Sequence, residues 1–447
     1  MFRSLCVSSS FVARSGQAKK RFGRSPARNS CGHRPTVEAL EDRCLLSGSW
    51  ATEPSMPGPR SQPMAAATDT RLYVAGGWNG GEVTSLYSYD PANKSWVGLA
   101  SLPDGGRYAG STAVTGGKLY LMGGYRASLP TSTLFVYDPA ADSWTRKADM
   151  PTVSACSSAG VIGEKIYVTT GCTGGPPYRN FLHVYDTATN TWASRASSPH
   201  IHAYPATGVI DGKLYVAGGT DGNVYFKDLD VYDPVTDSWV TKAPMLAARA
   251  GMAGGVVNGR LYSAGGTEGG AQLAKLEFYD PVRNTWAAET NMPTPRQELS
   301  AAVIGQTLYA VGGGFLVSNV LSTVEAFTAI PNRAPAAADD SYSVNRLEQL
   351  RVSTPGVLAN DRDADGDALA AVLVNSPTHG VVTFNSDGSF SYQPDGVFLG
   401  ADTFTYKAND GSAVSSLTTV SVRVQASMQS PVIREFSIPR ANSQPPE

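Results

Sequence analysis

The stretch Leu72-Tyr73-Val74-Ala75-Gly76-Gly77 is a short apolar run ended by two glycines, and Tyr89-Asp90 and Trp96 follow it. The same pattern recurs every 47 or 48 residues. Gly-Gly pairs occur at 76–77, 123–124, 218–219, 265–266 and 312–313, Tyr-Asp pairs at 89–90, 137–138, 185–186, 232–233 and 279–280, and Trp at 96, 144, 192, 239 and 286. A sixth glycine pair is altered to Thr170-Gly171. A fixed period of this length predicts a repeat architecture, in which each copy packs against its neighbours.

Each repeat has the composition of four short strands. Small residues such as 109–114 predict the innermost strand, apolar runs ended by Gly-Gly predict the second, and the segment before Tyr-Asp predicts the third. A turn begins at Asp-Pro, and the fourth strand begins at the Trp. These features resemble the Kelch repeat over residues 48 to about 330. The resemblance implies an all-β fold with a six-bladed Kelch β-propeller.

The last repeat lacks both Tyr-Asp and Trp, and the missing piece lies at the other end of the propeller segment. Trp50 stands 46 residues before Trp96 and is followed by Met56-Pro57, as later Trp residues are followed by similar pairs. We therefore expect residues 48–55 to form the outer strand of the last blade, so that the two ends of the propeller pair and leave no open edge.

A second domain follows a linker at 331–338. Short alternating runs between turns over residues 339–426 predict a small β-sandwich. Val357-Leu358-Ala359-Asn360-Asp361 and Asp402-Thr403-Phe404-Thr405-Tyr406 resemble the cadherin-like, immunoglobulin-type modules of bacterial surface proteins. Residues 427–447, rich in Ser, Pro and Gln, are predicted to be a disordered tail.

The first 47 residues are basic, with nine Lys or Arg against three Asp or Glu. Residues 40–47 resemble the Leu-Glu-Pro-Arg-x-Leu-Leu motif of large bacterial surface proteins, with Asp42 in place of the proline. We therefore expect a targeting segment and export to the cell surface or the medium, against the alternative of a basic tail without an address. The sequence contains no run of eighteen apolar residues, so it predicts no transmembrane segment.

Two groups of residues predict ligand sites. Asp361, Asp363, Asp365 and Asp367 alternate around a glycine, which suits Ca²⁺, and the resembled cadherin-like modules bind Ca²⁺ at such loops. The alternative is a solvated acidic turn. In the propeller, equivalent positions before each innermost strand are occupied by Arg60, Arg107, Ser154, His202, Arg249 and Arg296. We expect the four arginines and His202 to ring one channel mouth and bind an anion, or else to bond backbone carbonyls of neighbouring loops.

Cysteines and histidines give weaker indications. Cys156 and Cys172 fall on neighbouring strands of one hairpin and predict either a disulfide or two small buried residues. His200 and His202 lack a carboxylate or cysteine nearby in sequence, so a polar loop is favoured over a metal site, and no cofactor is expected in the propeller. The constellation of galactose oxidase, a Kelch-type copper enzyme, is not found.

Two functions fit these observations. The first is a surface protein whose propeller binds an acidic glycan or a protein, with the cadherin-like module as a spacer or adhesion unit. The second is an enzyme acting on a sugar acid, because the blade count and the arginines are also similar to the bacterial N-acetylneuraminate mutarotases. A net charge of −2 does not indicate a nucleic-acid partner, and the sequence does not indicate an oligomeric state. Binding is favoured because no positioned acid and base can be named.

Overall fold

The computed structural model describes residues 48–169, 171–174, 178–314, 319–330, 332–411 and 413–426. The predicted targeting segment, the predicted tail and Thr170 of the altered glycine pair lie outside these ranges. The described chain is all-β, apart from one short 3-10 helix at Gly356–Leu358. None of the described helices has the length and apolar character to cross a membrane.

The first strand, β1 (Ser49–Glu53), is followed by five complete blades in chain order. Blade 1 contains β2 (Met64–Ala67), β3 (Leu72–Ala75), β4 (Leu86–Asp90) and β5 (Ser95–Leu99). Blade 2 contains β6 (Ser111–Thr115), β7 (Lys118–Met122), β10 (Leu134–Asp138) and β11 (Ser143–Arg146), with a small hairpin of β8 (Tyr125–Arg126) and β9 (Leu129–Pro130) in between. Blade 3 contains β12 (Ala159–Ile162), β13 (Lys165–Thr169), β14 (Leu182–Asp186) and β15 (Thr191–Arg195).

The remaining blades follow the same order. Blade 4 contains β16 (Ala206–Ile210), β17 (Lys213–Thr220), β18 (Tyr225–Asp233) and β19 (Ser238–Lys242). Blade 5 contains β20 (Ala250–Val257), β21 (Arg260–Glu268), β23 (Leu276–Asp280) and β24 (Thr285–Glu289), and the short β22 (Ala271–Gln272) pairs with β21. Blade 6 contains β25 (Ser300–Ile304), β26 (Thr307–Val311) and β27 (Val324–Thr328).

The six blades form a closed ring. Their innermost strands β2, β6, β12, β16, β20 and β25 contact one another in this order, and β25 contacts β2. Small residues permit this approach: a Cβ added at Gly254 would lie 2.3 Å from the Thr207 nitrogen, and one at Gly208 would lie 2.4 Å from Val256. The repeated small residues therefore mark the strands that surround the axis.

The ends of the propeller segment pair as the sequence predicts. Strand β1 adds antiparallel to β27, with Trp50 opposite Phe327. Blade 6 thus takes its outer strand from the beginning of the segment and its other three strands from the end. This pairing leaves no blade with an unpaired third strand.

Repeated aromatic residues join each blade to its neighbour. The Tyr of each Tyr-Asp pair is buried against a Trp of the same blade, as with Tyr137 and Trp144 at 5.2 Å between ring centroids. The Trp144 indole donates a hydrogen bond to the Ala100 carbonyl of the preceding loop at 2.8 Å, and every other blade repeats this bond. Asp142, in a left-handed turn, accepts from the Tyr137 hydroxyl and from the Ala100 nitrogen. The repeat thus encodes contacts between blades as well as within them.

The C-terminal module is a small sandwich of two sheets. One sheet has the order β28 (Asp340–Asn345), β34 (Thr418–Gln425), β33 (Gly400–Asn409) and β30 (Ala370–Asn375). The other has the order β29 (Leu350–Val352), β32 (Phe390–Pro394) and β31 (Gly380–Phe384). Its core includes Tyr392, Phe404 and Tyr406, all buried. The predicted β-sandwich is thus present.

Candidate functional site

The propeller has two faces that differ in their loops. We call upper the face that carries the loops between the second and third strands of each blade and the loops that lead to the next blade; the lower face carries the tight turns. Arg260 and Arg283, near lower turns of blade 5, each form an ion pair with Asp367 of the sandwich at 3.0 Å. The upper mouth of the channel therefore lies on the side away from this contact.

The residues predicted to ring this mouth and bind an anion do not present their side chains to solvent. The side chains at this repeat position are all buried, with at most 2% exposure: Arg60, Arg107, Ser154, His202, Arg249 and Arg296. Four arginines and His202 each bond the carbonyl of the first Gly of their own blade's pair, as Arg60 Nη1 does to Gly76 O at 2.9 Å. This first glycine is left-handed in each of these blades, and a buried Arg or His side chain provides a hydrogen bond to its carbonyl. This geometry favours the alternative in which the four arginines and His202 bond backbone carbonyls.

Each of these basic side chains also contacts a partner on the third strand, two residues before the buried aromatic residue. Arg60 and Arg107 lie over the rings of Tyr87 and Phe135, with 5.3 Å from Cζ to each centroid. Carboxylates replace these aromatic partners in three later blades. Arg249–Glu277 at 3.2 Å and Arg296–Glu325 at 2.8 Å are ion pairs, and His202 Nε2 lies 3.0 Å from Asp230. The carboxylates of Glu277 and Glu325 account for two buried guanidinium groups without any ligand.

The mouth itself is formed by the residues two positions further along. Gln62, Ala109, Cys156, Tyr204, Gly251 and Glu298 all have positive φ between 49° and 68°. Their backbones form a closed ring in which the N–H of each blade donates to the carbonyl of the preceding one, at 2.7 to 3.1 Å. Five of the six are not glycine, so the ring holds backbone conformations that L-residues rarely adopt. Such conformations concentrate at functional sites, where the surrounding structure enforces them.

Below this ring lies a cavity of about 160 Å³ lined by all six blades. Gln62 Nε2 reaches the Tyr204 hydroxyl at 3.4 Å, and these two residues belong to blades 1 and 4, which stand opposite each other in the ring. Burial raises the pKa of Glu298 to about 7, so that its carboxyl is partly protonated at neutral pH. The channel mouth thus carries a buried carboxyl whose pKa is raised by its surroundings.

Several polar atoms of the upper loops lack a hydrogen-bond partner among the residues that the structure describes. They belong to blades 1, 5 and 6: Ser61 Oγ, Gln62 Oε1, Thr267 Oγ1, Gln297 Oε1 and Glu298 Oε2. Buried polar atoms in native proteins are nearly always bonded to protein, water or ligand. These atoms are therefore open to hydrogen bonds from water or a ligand.

Aromatic rings flank the same mouth in blades 1 to 3. Trp78 meets Tyr108 edge-on with centroids 5.3 Å apart, and Tyr108 stacks on Tyr125 at 5.2 Å. Tyr178 packs beside Gly222 of blade 4. All four side chains are partly exposed. We call Trp78, Tyr108, Tyr125 and Tyr178 the aromatic belt.

The two cysteines lie beside the belt. Cys156 and Cys172 are buried free thiols whose sulfur atoms are 2.6 Å apart, and Cys156 Sγ is 4.0 Å from the Tyr125 hydroxyl. Burial raises the pKa of the Cys156 thiol, which disfavours the reactive thiolate. The disulfide remains a prediction, now with the two sulfur atoms adjacent.

His200 and His202 find the carboxylate that their sequence neighbourhood lacks. Asp230, on the third strand of blade 4, lies 2.9 Å from His200 Nδ1 and 3.0 Å from His202 Nε2. Although burial opposes ionisation, hydrogen bonds from His202 and Thr241 hold the pKa of Asp230 below its ordinary value. Sequence reasoning missed this partner because it comes from another strand, 28 residues away from His202.

The acidic loop of the sandwich is divided among several partners. Asp367 pairs with Arg260 and Arg283 of the propeller, while Asp361 accepts from the Ala338 nitrogen and the Tyr406 hydroxyl. Asp363 Oδ2, Asp365 Oδ1 and the linker's Asn332 Oδ1 are buried oxygens without a hydrogen-bond partner in the described part of the chain. Oxygens of this type suit a hard cation. The four aspartates therefore do not act alike, and two of them keep free ligand atoms.

Family models match most of the described chain. Residues 110–313 match the KLHDC2/KLHL20/DRC7 Kelch-repeats domain, residues 59–103 the Kelch motif, and residues 332–426 the bacterial cadherin-like domain. Kelch repeats and a bacterial cadherin-like domain are thus both found in this chain, as the sequence features predict. The resemblance of residues 40–47 to a surface-protein motif, and the export that it implies, stay predictions.

Known proteins match over shorter segments. The N-acetylneuraminate epimerase of Haemophilus influenzae (strain PittEE) is 36% identical over 90 residues, which are 19% of this chain and 24% of that protein. Kelch-like protein 36 of Rattus norvegicus is 37% identical over 75 residues, covering 15% of this chain and 12% of the relative. The chain thus spans about a quarter or less of these relatives.

One solved structure, titled "Structure of YjhT", resembles the propeller as a whole. Its TM-score is 0.54 at 19% identity, and the match covers 62% of this chain and 95% of that one. At this identity the likeness supports the fold alone.

Proposed function

We propose that this chain, in which Kelch repeats precede a bacterial cadherin-like domain, binds a sugar at the upper mouth of its propeller. The proposal rests on one observation: polar atoms without partners and partly exposed aromatic rings lie around the same mouth. Unpartnered polar atoms of Gln62, Gln297 and Glu298 stand on one side, and the aromatic belt on the other.

Sugars present both kinds of group. Their hydroxyls require hydrogen-bond partners, and their C–H faces are apolar enough to pack on aromatic rings. Cavities that bind small molecules combine apolar walls with a few convergent polar groups. The backbone ring that forms the mouth fixes Gln62 and Glu298 in place, which reduces the entropy lost on binding.

The predicted acidic ligand needs a different source of positive charge, because the arginines of the repeat position are buried and bonded within the propeller. Arg126 and Arg179 are exposed on upper loops of blades 2 and 3, the blades that carry Tyr108, Tyr125 and Tyr178. A carboxylate on the sugar would meet these guanidinium groups at the rim. We therefore retain an acidic glycan as the preferred ligand, with a protein ligand as the alternative.

A glycan array tests this proposal. The full chain should bind a subset of glycans, Trp78→Ala with Tyr125→Ala should lose the signal, and Arg126→Ala with Arg179→Ala should lose the preference for acidic sugars. The matched control is Tyr225→Ala, an exposed tyrosine on an upper strand end of blade 4 outside the belt. Absence of glycan binding by the folded wild-type chain would contradict the proposal.

A second candidate function is favoured by Glu298. A carboxyl with a pKa of about 7 is suited to give and take a proton at neutral pH, which interconversion of sugar anomers requires. The segmental similarity to N-acetylneuraminate epimerases supports the same class of substrate. Adding the full chain to freshly dissolved α-anomer of N-acetylneuraminate should then speed anomerisation followed by NMR, and Glu298→Gln should remove the effect. An unchanged rate would leave binding as the function.

For the C-terminal module we propose Ca²⁺ binding and a role as spacer or adhesion unit on an exported protein. The unpartnered oxygens of Asp363 and Asp365 support Ca²⁺ binding, because clustered carboxylates repel one another until a cation binds between them. Ca²⁺ should raise the unfolding temperature of the full chain, and Asp363→Asn with Asp365→Asn should cancel the increase. Export should appear as surface or medium localisation of the chain, lost on deletion of residues 1–47.

A further inference from the structure

We propose that blade 4 contains a transition-metal site of the Zn²⁺ class, with His200, His202 and Asp230 as ligands. One ligand atom from each residue lies within 4.8 Å of the other two. Both imidazoles approach the same carboxylate oxygen, Asp230 Oδ2, at 2.9 and 3.0 Å. A tetrahedral Zn²⁺ ion with bonds of about 2.0–2.2 Å would need each imidazole nitrogen to move away from Asp230 Oδ2 by only a few tenths of an ångström.

Blade 4 differs from blades 5 and 6 in the side chains at equivalent positions. Blades 5 and 6 place Arg249 with Glu277 and Arg296 with Glu325 at the same two positions. A guanidinium keeps its protons and cannot bind a metal, whereas an imidazole offers a lone pair. Blade 4 has His202 at the arginine position, and it also adds His200 two residues earlier.

The added histidine differs in chemistry from the side chains at its position in the next two blades. The position of His200 is occupied by Ala247 in blade 5 and by Thr294 in blade 6, where the Thr294 hydroxyl donates to Glu325 at 2.6 Å. His200 nevertheless aims its ring nitrogen at the Asp230 oxygen that His202 already contacts. A hydroxyl at this position supplies one hydrogen bond to the carboxylate, whereas an imidazole nitrogen is also a preferred ligand of Zn²⁺.

The surrounding hydrogen bonds are those that orient metal ligands. His202 Nδ1 donates to the Gly218 carbonyl at 2.7 Å, which turns Nε2 towards Asp230. A metal ion would displace the proton of the Nε2–Asp230 hydrogen bond and take the nitrogen lone pair. Asp230 accepts from Thr241 at 2.7 Å on Oδ1 and from Ser198 at 3.0 Å on Oδ2. These contacts fix the carboxylate and one imidazole before any ion arrives.

The class of ion follows from the ligand set and its exposure. Two imidazole nitrogens and one carboxylate oxygen match Zn²⁺ and similar ions, whereas Ca²⁺ prefers oxygen alone. His202 and Asp230 are buried, but the His200 side chain is 37% exposed, so water can complete the coordination from that side. Three protein ligands with an open position are typical of reactive zinc sites.

The test uses the full chain after treatment with a chelator and dialysis. Calorimetric titration with Zn²⁺ should show a binding step that His200→Ala weakens by more than about tenfold, since even outer-shell partners of a metal contribute about 10- to 100-fold. Thr241→Val should weaken the same step within that range. His183→Gln, a buried imidazole at the Asp230 position of blade 3, is the matched control and should leave the step unchanged.

Two further measurements keep the outcome interpretable. Unfolding of His200→Ala without metal should match the wild type, because its ring is partly exposed; if it does not, His200→Gln replaces it. The Co²⁺-loaded chain should lack a thiolate charge-transfer band, which would place the ion at Cys156 and Cys172 or at the N-terminal cysteines. Equal Zn²⁺ affinity in the His200 variant, no Zn²⁺ binding by the wild type, or a thiolate band would overturn the proposal.

Discussion

At the scale of single residues, one repeat position shows how the same backbone need is met by different chemistry. The left-handed first glycine of each pair has a carbonyl that a buried Arg or His satisfies, and the third-strand partner is an aromatic ring in blades 1 and 2 and a carboxylate in blades 4 to 6. The recurrence of arginine in the sequence is thus explained by packing within each blade.

Truncation of one such arginine should therefore cost stability. Arg249→Ala leaves Glu277 buried without its cation and the Gly265 and Ser263 carbonyls without their donor. Removing one partner of a buried pair costs about 3–5 kcal/mol. Urea unfolding of the full chain should show a loss of this order, while Arg126→Ala, an exposed arginine of the upper face, should change little. A fully stable Arg249→Ala chain that fails to bind an acidic ligand would show that the arginine is a binding residue.

Glu298 should make stability depend on pH. Its folded pKa of about 7 lies above its ordinary value of 4.5, so the folded state binds protons more tightly than the unfolded state. Stability should therefore be highest below about pH 4.5 as far as this group is concerned, and fall as pH rises to about 7. The loss is at most about 3.5 kcal/mol, because a tenfold change in proton affinity is worth about 1.4 kcal/mol.

The Glu298→Gln variant isolates this effect. Its unfolding free energy should lack the decline between pH 5 and about 7 and should exceed that of the wild type at pH 8. Chemical unfolding of both chains at several pH values is the measurement. Parallel curves for the two chains would show that the carboxyl titrates normally.

At the scale of strands and loops, the sequence was most informative where one residue type recurs for one reason. Gly-Gly, Tyr-Asp and Trp each have a single structural role in the blades that contain them, so strand positions and closure by β1 were predictable. The mouth was not, because Gln62, Ala109, Cys156, Tyr204, Gly251 and Glu298 share a backbone conformation but no chemistry. Counting two residues on from the arginine position would have found them.

Closure by β1 should contribute more than a peripheral strand. Trp50 packs on Phe327 and donates to the Thr290 carbonyl at 2.8 Å, so its removal exposes the core of blade 6 and the edge of β27. The chain 58–447 should unfold at a clearly lower temperature than the matched chain 48–447. Equal unfolding temperatures by calorimetry would count against the paired ends.

At the scale of the whole molecule, Asp367 joins the two domains. It accepts from Arg260 and Arg283 at 3.0 Å each, and Val282 contacts Gly411 beside this pair of bonds. The partner of each acidic residue could not be predicted, because the loop resembles a cation site when read alone. Only the fold brings lower turns of blade 5 against it.

Asp367→Asn should therefore uncouple the domains. The neutral amide loses both ion pairs, which are partly buried, and differential scanning calorimetry should show the propeller and the sandwich unfolding at more separated temperatures. Asp395→Asn, an exposed aspartate of the sandwich, is the control. An unchanged calorimetric profile in Asp367→Asn would mean that the domains unfold independently in the wild type.

Calorimetric titration of the full chain with the strongest glycan from the array decides whether the upper mouth is the sugar site. The wild type and Tyr225→Ala should each show a single saturable site. Trp78→Ala with Tyr125→Ala should bind at least about tenfold more weakly, since buried aromatic contacts are often worth about 2 kcal/mol or more and about 1.4 kcal/mol is tenfold. Unaltered affinity in that double variant, with the fold intact by circular dichroism, would place the ligand elsewhere and contradict the assignment of the upper mouth.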